Sequence, residues 1–430
     1  VGDTVNTISI APTYKKAPDS ILEPGHIYVF SEREAHQVFQ LVNQQQPGQA
    51  RLDEAKLEWF YKPYKGEDLN GKSLLLWRTG GAGDLLCLTA AADALKKKFP
   101  DVHITVSCAA RYTGVLLECP AFDVVRNGPV DVRWLENADY HMYFEGLIEQ
   151  NVERSETHPI DLFAEKLFVE PGLPQASCSK EELKAIRKLF CEHHFNSDRP
   201  VVAIQLWTAV PIRRYPPENL VEVAKSLADK GCNIVWLGSH AESGYIQKNG
   251  IDEPQLGAVA INLPAIYHDW GHTIAAIAAS DLVISSDSSS LHIAGAYTDI
   301  KKLNKKRQIR FTSNTPGIGL FGPFRASARL SKYPKMLGIE AQGPCFGCSQ
   351  HTDVPCALSF PSAVSPCLDL IKPELITKTA IAFLEDCYAG KLKLTERANI
   401  KDTLKPILAS HSQPTHEWQS RDAILMVHVS

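Results

Sequence analysis

The sequence predicts an α/β protein built as two tandem nucleotide-binding-type halves facing each other across a cleft. Short, continuous apolar runs such as SLLLWRT from Ser73 and VVAIQLW from Val201 have the character of strands buried on both faces. Each is followed by a Gly- or Pro-marked turn and then by apolar residues at helical spacing. The alternation occurs twice, on either side of a stretch at 173–199 rich in Pro, Ser and charge that reads as a linker.

Taken in order, residues 1–70 hold a polar start, the apolar IYVF, a helix-like SEREAHQVFQLVNQQQ and an aromatic EWFYKPYKG, and form a small appendage. The first half, 71–175, opens with the strand at 73, the turn Gly80-Gly81-Ala82-Gly83-Asp84 and a helical LLCLTAAADALKKKF. The lysines of its last turn suit the negative end of a helix, Pro100 stops it, and VHITVSC follows as a parallel strand. The second half, 196–371, repeats the scheme with VVAIQLW, PENLVEVAKSLADKG, NIVWLGS, HTIAAIAASD, DLVISSD and SSLHIAGAY. KPELITKTAIAFLEDCYAG at 372–390 is one long helix, and 391–430 is a tail.

The composition excludes several function classes. Lys and Arg number 45 against 49 Asp and Glu, a net charge of −4 that provides no generic nucleic-acid surface. No apolar run approaches the ~18 residues of a membrane span, although peripheral membrane contact stays open. Residues 1–18 lack a basic head followed by an apolar stretch, so no secretory leader is expected. Of eleven cysteines, Cys108 and Cys232 sit in apolar strand-like runs, which fits buried thiols in a reducing cytoplasm better than a disulfide scaffold.

Four groups of residues carry chemistry. Gly81, Gly83 and Asp84 join a strand to a helix start, where free amides attract anions and an acid can equally serve as a cap. Leu86 stands where G-x-G-x-x-G needs its third glycine, which disfavours a dinucleotide site. Asp287, Ser288, Ser289 and His292 crowd an acid, hydroxyls and an imidazole at another strand-to-helix turn, a set that suits a phosphate or a serine-rich cap. Arg213, in Arg213-Arg214-Tyr215-Pro216, follows the strand at 201 on the ligand side of an open α/β sheet and can clamp phosphate. Glu242 follows NIVWLGS on that edge and can accept from a ribose, or be an ordinary loop acid.

These motifs, in this order, resemble the ADP-heptose:lipopolysaccharide heptosyltransferase family, glycosyltransferase family nine. The likeness rests on GGAGDLLCLTAAADALKKKFP, RRYP, SDLVISSDSSSLHIAGA and LFGPF at 320–324, with HPIDLFAEKL at 158–167 similar to the family's bridge between halves. It covers roughly 72–390 and implies a GT-B fold and inverting, metal-independent sugar transfer to a glycan, lipid-linked or protein acceptor. The first half would receive the acceptor and the second the nucleotide sugar, with adenine as the implied base. By the same likeness Asp84 is the general base, Arg213 neutralises the leaving diphosphate, Asp287, Ser288, Ser289 and His292 line that diphosphate, and Glu242 holds the ribose. In GT-B proteins the C-terminal helix commonly crosses back to the first lobe.

The chain departs from the family pattern at Ser289, where glycine is usual, and at Arg213, where lysine is common. Its stretch Thr298–Thr315 is also longer and carries Lys301, Lys302, Lys305, Lys306, Arg307 and Arg310, either a solvated loop or a dock for an anionic acceptor. Cys345, Cys348, Cys356 and Cys367 cluster with one metal-type Cys-x2-Cys spacing, which suits a structural zinc or iron or a set of unliganded thiols; His351 is a substitute ligand. The alternatives are another two-lobed sugar-nucleotide enzyme such as an epimerase, or a silent nucleotide-sugar-binding protein. The presence of Asp84 speaks against the silent relative.

Overall fold

The apolar runs become the central strands of two units in a computed structural model of the chain. The structure describes residues 62–388 except 152–155, 196–198, 252–259, 297–308, 312–314, 343–345, 349–355 and 360–363. It also describes four strands outside that range and the single positions 40 and 44. One unit comprises Val1–Leu147 with Phe163–Gly172, the other Ile148–Leu162 with Leu173–Ser430.

In the first unit, β4 (Ser73–Trp77) lies between β5 (His103–Cys108) and β8 (Tyr140–Tyr143), with β6 (Val124–Asn127) outside β5. All pair in parallel, Leu74 opposite Ile104 on one side and Tyr140 on the other. Leu74, Leu75 and Leu76 are buried whichever way they point, as a run without polar alternation requires. The helix Ala82–Lys98 buries Leu85, Leu86, Leu88, Ala92 and Leu95, and its last turn carries Lys96, Lys97 and Lys98. There the Lys96 ammonium donates to the Val102 carbonyl and pairs with Asp123.

The first seventy residues contribute more to this unit than the sequence reading foresaw. β1 (Thr4–Ile10), β2 (Ile27–Phe30) and β3 (Ala50–Lys56) form an antiparallel sheet with β7 (Val130–Asp131), in the order β3-β1-β2-β7. The β2–β7 pairing, with Tyr28 opposite Asp131, ties the segment to the unit by backbone hydrogen bonds. Most of the helix-like stretch after Ser31 lies outside the described residues.

The second unit has a seven-stranded sheet in the order β12-β11-β10-β13-β15-β16-β17. Its strands are β10 (Val201–Gln205), β11 (Asn233–Leu237), β12 (Ala260–Asn262), β13 (Leu282–Ser286), β15 (Gly317–Phe321), β16 (Met336–Gln342) and β17 (Ile424–Val429). All neighbours are parallel except β17, which runs antiparallel along β16. The core joins Ile204, Trp236 and Ile284 of the sheet to Leu220 and Leu227 of the helix Pro217–Asp229 and to Leu375, Ile376 and Phe383 of the helix Pro373–Tyr388. That last helix therefore packs within the second unit's own core.

Two segments differ from the sequence reading. The presumed linker at 173–199 contains β9 (Ser177–Ser179) and the helix Lys180–Glu192. A reciprocal capping box between Ser179 and Glu182 starts this helix, and Ile186, Leu189 and Phe190 bury its apolar face, so the charges that suggested a linker belong to its outer side. β9 pairs antiparallel with β14 (Ile309–Phe311), which includes Arg310. Lys301, Lys302, Lys305, Lys306 and Arg307 lie outside the described residues. The tail supplies β17, whose ILMVHV is apolar but for His428. Among the described residues no helix is long and apolar enough to cross a membrane.

Candidate functional site

In the first unit the Gly-rich turn aims an acid. Gly81 caps the helix Ala82–Lys98 at φ 76°, a conformation that side chains disfavour. A Cβ on Gly81 would also lie 2.3 Å from Oδ2 of Asp84, so the carboxylate rests in the space that glycine leaves. Asp84 does not cap the helix through Gly81. It accepts instead from Nη2 of Arg78 at 2.7 Å. Arg78 is 2% exposed, and its other nitrogens donate to the carbonyls of Gly80 and Phe144. Glu145 accepts from the amide of Thr79 on the same turn. Asp84 keeps 27% of its side-chain surface, enough to meet a ligand.

In the second unit the remaining motifs converge at the carboxyl ends of β10, β13 and β15. Arg213 ends a 3₁₀ turn, Pro211–Arg213, that is anchored on both sides. Fully buried Tyr215 donates its hydroxyl to the carbonyl of Ile371 and its amide to Oγ of Ser286, while Ser365 donates to the carbonyl of Ile212. Thus held, Nη1 of Arg213 lies 3.2 Å from Oδ2 of Asp287. Nε of Arg329 lies 3.8 Å from the same oxygen. The ring of Phe324, just past β15, has both guanidiniums against it, Arg213 at 5.1 Å and Arg329 at 4.4 Å from its centroid. Nε of Arg213 is buried without a hydrogen-bond partner. Two cations around one carboxylate, with a donor unused, make a place for a further anion.

The serines and Glu242 are organised by Gln205 at the end of β10. Ser288 caps the helix Ser289–Gly295 by accepting from the amide of Ser290, and its hydroxyl bonds that of Ser285 at 2.7 Å. Ser289 is the first residue of that helix. Ser290 donates to Oε1 of Gln205, whose amide nitrogen donates to Oε1 of Glu242 at 2.6 Å. Glu242 also accepts from the amides of Trp207 and Ser239 and is 5% exposed. Burial pushes its carboxyl above the usual range, against the pull of these donors. The structure thus puts Glu242 on the expected edge, with its carboxylate knitting β10 to the helix His240–Lys248.

His292 faces a buried aromatic group. Its Nδ1 is 2.5 Å from the hydroxyl of Tyr333, and the ring of His158 stands edge-on to both. Nδ1 of His158 accepts from the amide of Ile160, and its Nε2 donates to the carbonyl of Arg329 at 2.9 Å. Burial first, then His292, pushes His158 well below the usual imidazole range, which keeps it neutral.

The cysteine cluster is only partly described. Cys348 is exposed, Cys356 half-buried and Cys367 buried, and Cys345 and His351 lie outside the described residues. Among the described residues no three cysteine sulfurs gather as a ligand set. The one group of metal-type side chains found among the described residues, Glu182, Asp269 and His272, is occupied in helix capping: Asp269 accepts from the amide of His272 and Glu182 from that of Ser179.

Sequence reasoning missed Arg78, Gln205, Phe324, Arg329, Tyr333 and His158 as site residues. Two carried a signal: Arg78 ends the run SLLLWR as a charge inside a buried strand, and His158 opens HPIDLFAEKL. Arg329 and Tyr333, in RASARLSKYP, belong to none of the sequence motifs.

Comparison with known proteins follows the same lines. Residues 150–299 match the family model described as Glycosyltransferase family 9 (heptosyltransferase). No curated protein matches the chain in sequence. Solved structures show the fold. A family 9 glycosyl transferase from Veillonella parvula aligns with TM-score 0.55 at 16% identity, covering 75% of this chain and 99% of that one. ADP-heptose lps heptosyltransferase II of E. coli aligns with TM-score 0.54 at 16% identity, covering 73% and 98%. The iron-containing dodecameric glycosyltransferase TibC from enterotoxigenic E. coli aligns with TM-score 0.50 at 11% identity, covering 90% and 93%. These are GT-B glycosyltransferase neighbours, in agreement with the fold class expected from the motifs.

Proposed function

From the premise that this chain carries a glycosyltransferase family 9 domain at residues 150–299, we propose that it transfers a heptose-like sugar from an ADP-linked donor, with inversion and without a catalytic metal. The observation that carries this reading is the pair Arg213 and Arg329 around Asp287 and Phe324, with a buried guanidinium donor of Arg213 unused. Such a group suits the diphosphate that departs from a sugar nucleotide, and fixed guanidinium charge does the neutralising that a metal ion does elsewhere.

In this reading Asp84 takes the proton of an acceptor hydroxyl as its oxygen attacks the anomeric carbon. The bond to the diphosphate breaks in the same displacement, its electron pair leaves with the phosphate oxygen, and configuration inverts. Arg213 bears the developing charge, while Asp287, Ser288, Ser289 and His292 line the diphosphate. Gly81 and Gly83 let the acceptor approach the turn that holds Asp84, and Glu242 fixes the wall beside the ribose. One comparison structure, named as an ADP-heptose lps heptosyltransferase, supports a heptose-like donor linked to ADP. The acceptor is a hydroxyl on a glycan, a lipid-linked saccharide or a protein. A structural zinc or iron on Cys345, Cys348, Cys356 and Cys367 is supported by the Cys-x2-Cys spacing and by the iron in TibC. Metal analysis of chain purified without chelator tests it, and absence of stoichiometric metal removes it.

The first test is thermal stabilisation by ADP, UDP, GDP, CMP and NAD. A selective shift with ADP is expected. A shift with NAD alone, or with none of them, defeats the reading. Release of free sugar from the donor without acceptor would favour an epimerase-like enzyme.

A further inference from the structure

Nε of Arg213 is not alone on the carboxyl edge of the second sheet in being buried without a partner: so is Oδ1 of Asn262, the last residue of β12. Asn262 is 6% exposed, and its amide cannot be turned round. Nδ2 lies 3.2 Å from the carbonyl of Ser243 and 3.3 Å from the hydroxyl of the same residue. A carbonyl only accepts, so the nitrogen must be the arm on that side and the oxygen is left on the other. A buried acceptor without a donor costs stability, and one built into a packed strand end is accounted for here by a donor that arrives with a ligand.

The strand order says which part of the ligand that is. Across the sheet run β13, β10, β11 and β12; the Asp287 turn follows the first, Arg213 the second and Glu242 the third, and Asn262 ends the fourth. With strands about 4.8 Å apart, the row spans about 14 Å. A diphosphate at β13 and β10 with its ribose at β11 therefore brings the base to β12. Asn262 is tied to Ser243, the neighbour of Glu242 on the helix His240–Lys248, and the 3₁₀ turn Leu263–Ala265 that follows it ends at Ile266, an apolar side chain 41% exposed. An apolar surface suits the face of a base, and a fixed acceptor suits its edge. Adenine presents an exocyclic amine there, guanine a carbonyl. We propose that Asn262 is a specificity-determining residue: its Oδ1 accepts from the exocyclic amine of the nucleobase and so selects adenine over bases with a carbonyl at that position. The base reaches this oxygen as the connection after β12 yields. The role rests on the reading that this edge takes a nucleoside diphosphate.

The test is calorimetry on the full chain with two probes, ADP and inosine diphosphate, which carries a carbonyl where adenine carries its amine. Wild-type protein is expected to bind ADP about tenfold or more tightly than inosine diphosphate, the size of one hydrogen bond gained against one acceptor left facing another. In Asn262→Ala the two Kd values should come within about twofold of each other, chiefly because ADP weakens. A merely structural role would weaken both probes alike and keep their ratio. Asn262→Ser, which retains a donor for the Ser243 carbonyl, carries the same test should the alanine variant not fold. Equal binding of the two diphosphates by the wild-type chain overturns the proposal without any variant. A wild-type ratio kept in either variant overturns the role of Asn262 alone. Failure of the wild-type chain to bind either diphosphate overturns the site reading, and this role with it.

Discussion

Arg78 holds Asp84 by a single nitrogen, Nη2 at 2.7 Å, while its remaining nitrogens are committed to the carbonyls of Gly80 and Phe144. The guanidinium is therefore a fixed post and the carboxylate the part that can turn toward a substrate. Asp84→Asn should bind ADP with wild-type affinity and lose about a hundredfold or more in transfer rate. Arg78→Lys, which keeps the charge but not the fork, should lower kcat by about tenfold with ADP affinity unchanged. Calorimetry and a transfer assay read both, and normal transfer by Asp84→Asn removes the base assignment.

Gly81→Ala is predicted to separate folding from chemistry. The backbone at φ 76° resists a side chain, and the added carbon meets Oδ2 of Asp84. A stability loss of about 1–3 kcal/mol is expected, together with slower transfer and intact ADP binding. Denaturant unfolding and single-turnover rates check it; a variant of wild-type stability and rate would show that the turn relaxes freely.

Arg213→Ala should weaken ADP about 10- to 100-fold, the range for a charge-assisted bond, and Arg213→Lys should recover only part of it. AMP, lacking the second phosphate, should feel the change less. Equal losses for ADP and AMP would place Arg213 away from the diphosphate.

His158 gives stability a pH signature. Its folded-state pKa lies well below 6.5, so below 6.5 the unfolded chain binds a proton that the folded chain refuses. Its contribution is thus present above pH 6.5 and lost as pH falls. Between pH 7.5 and 5.5 this one residue should cost about 1.4 kcal/mol. His141, held down to about 4 by burial, adds a parallel loss, so the comparison must be with His158→Asn. Urea melts at both pH values should show the variant losing less on acidification; equal losses would mean that His158 ionises in place.

The sheets were legible wherever a strand is buried on both faces, because β4, β10, β11 and β13 leave no polar alternation to confuse the reading. Asp84, Arg213 and the Asp287–His292 turn could be picked out because each lies in the connection or helix start that follows such a strand. The helix Lys180–Glu192 was lost among its surface charges, although Ser179 and Glu182 spell its capping box. Arg329 and Tyr333 were not legible for a different reason. They act across more than forty residues of chain, on Asp287 and His292, through contacts that only the pairing of β13 with β15 creates. Gln205 is similar: its amide joins Ser290 to Glu242, three distant positions that no local pattern connects.

The antiparallel pairing of β17 with β16 bears on how the chain behaves when shortened. From Leu337 to Gln342 the outer row of amides and carbonyls on β16 is satisfied by Val429 to Ile424. Deleting those last residues would leave a bare, apolar sheet margin, the template on which foreign strands grow. The expected phenotype of such a truncation is self-association and poor yield rather than a defect in chemistry.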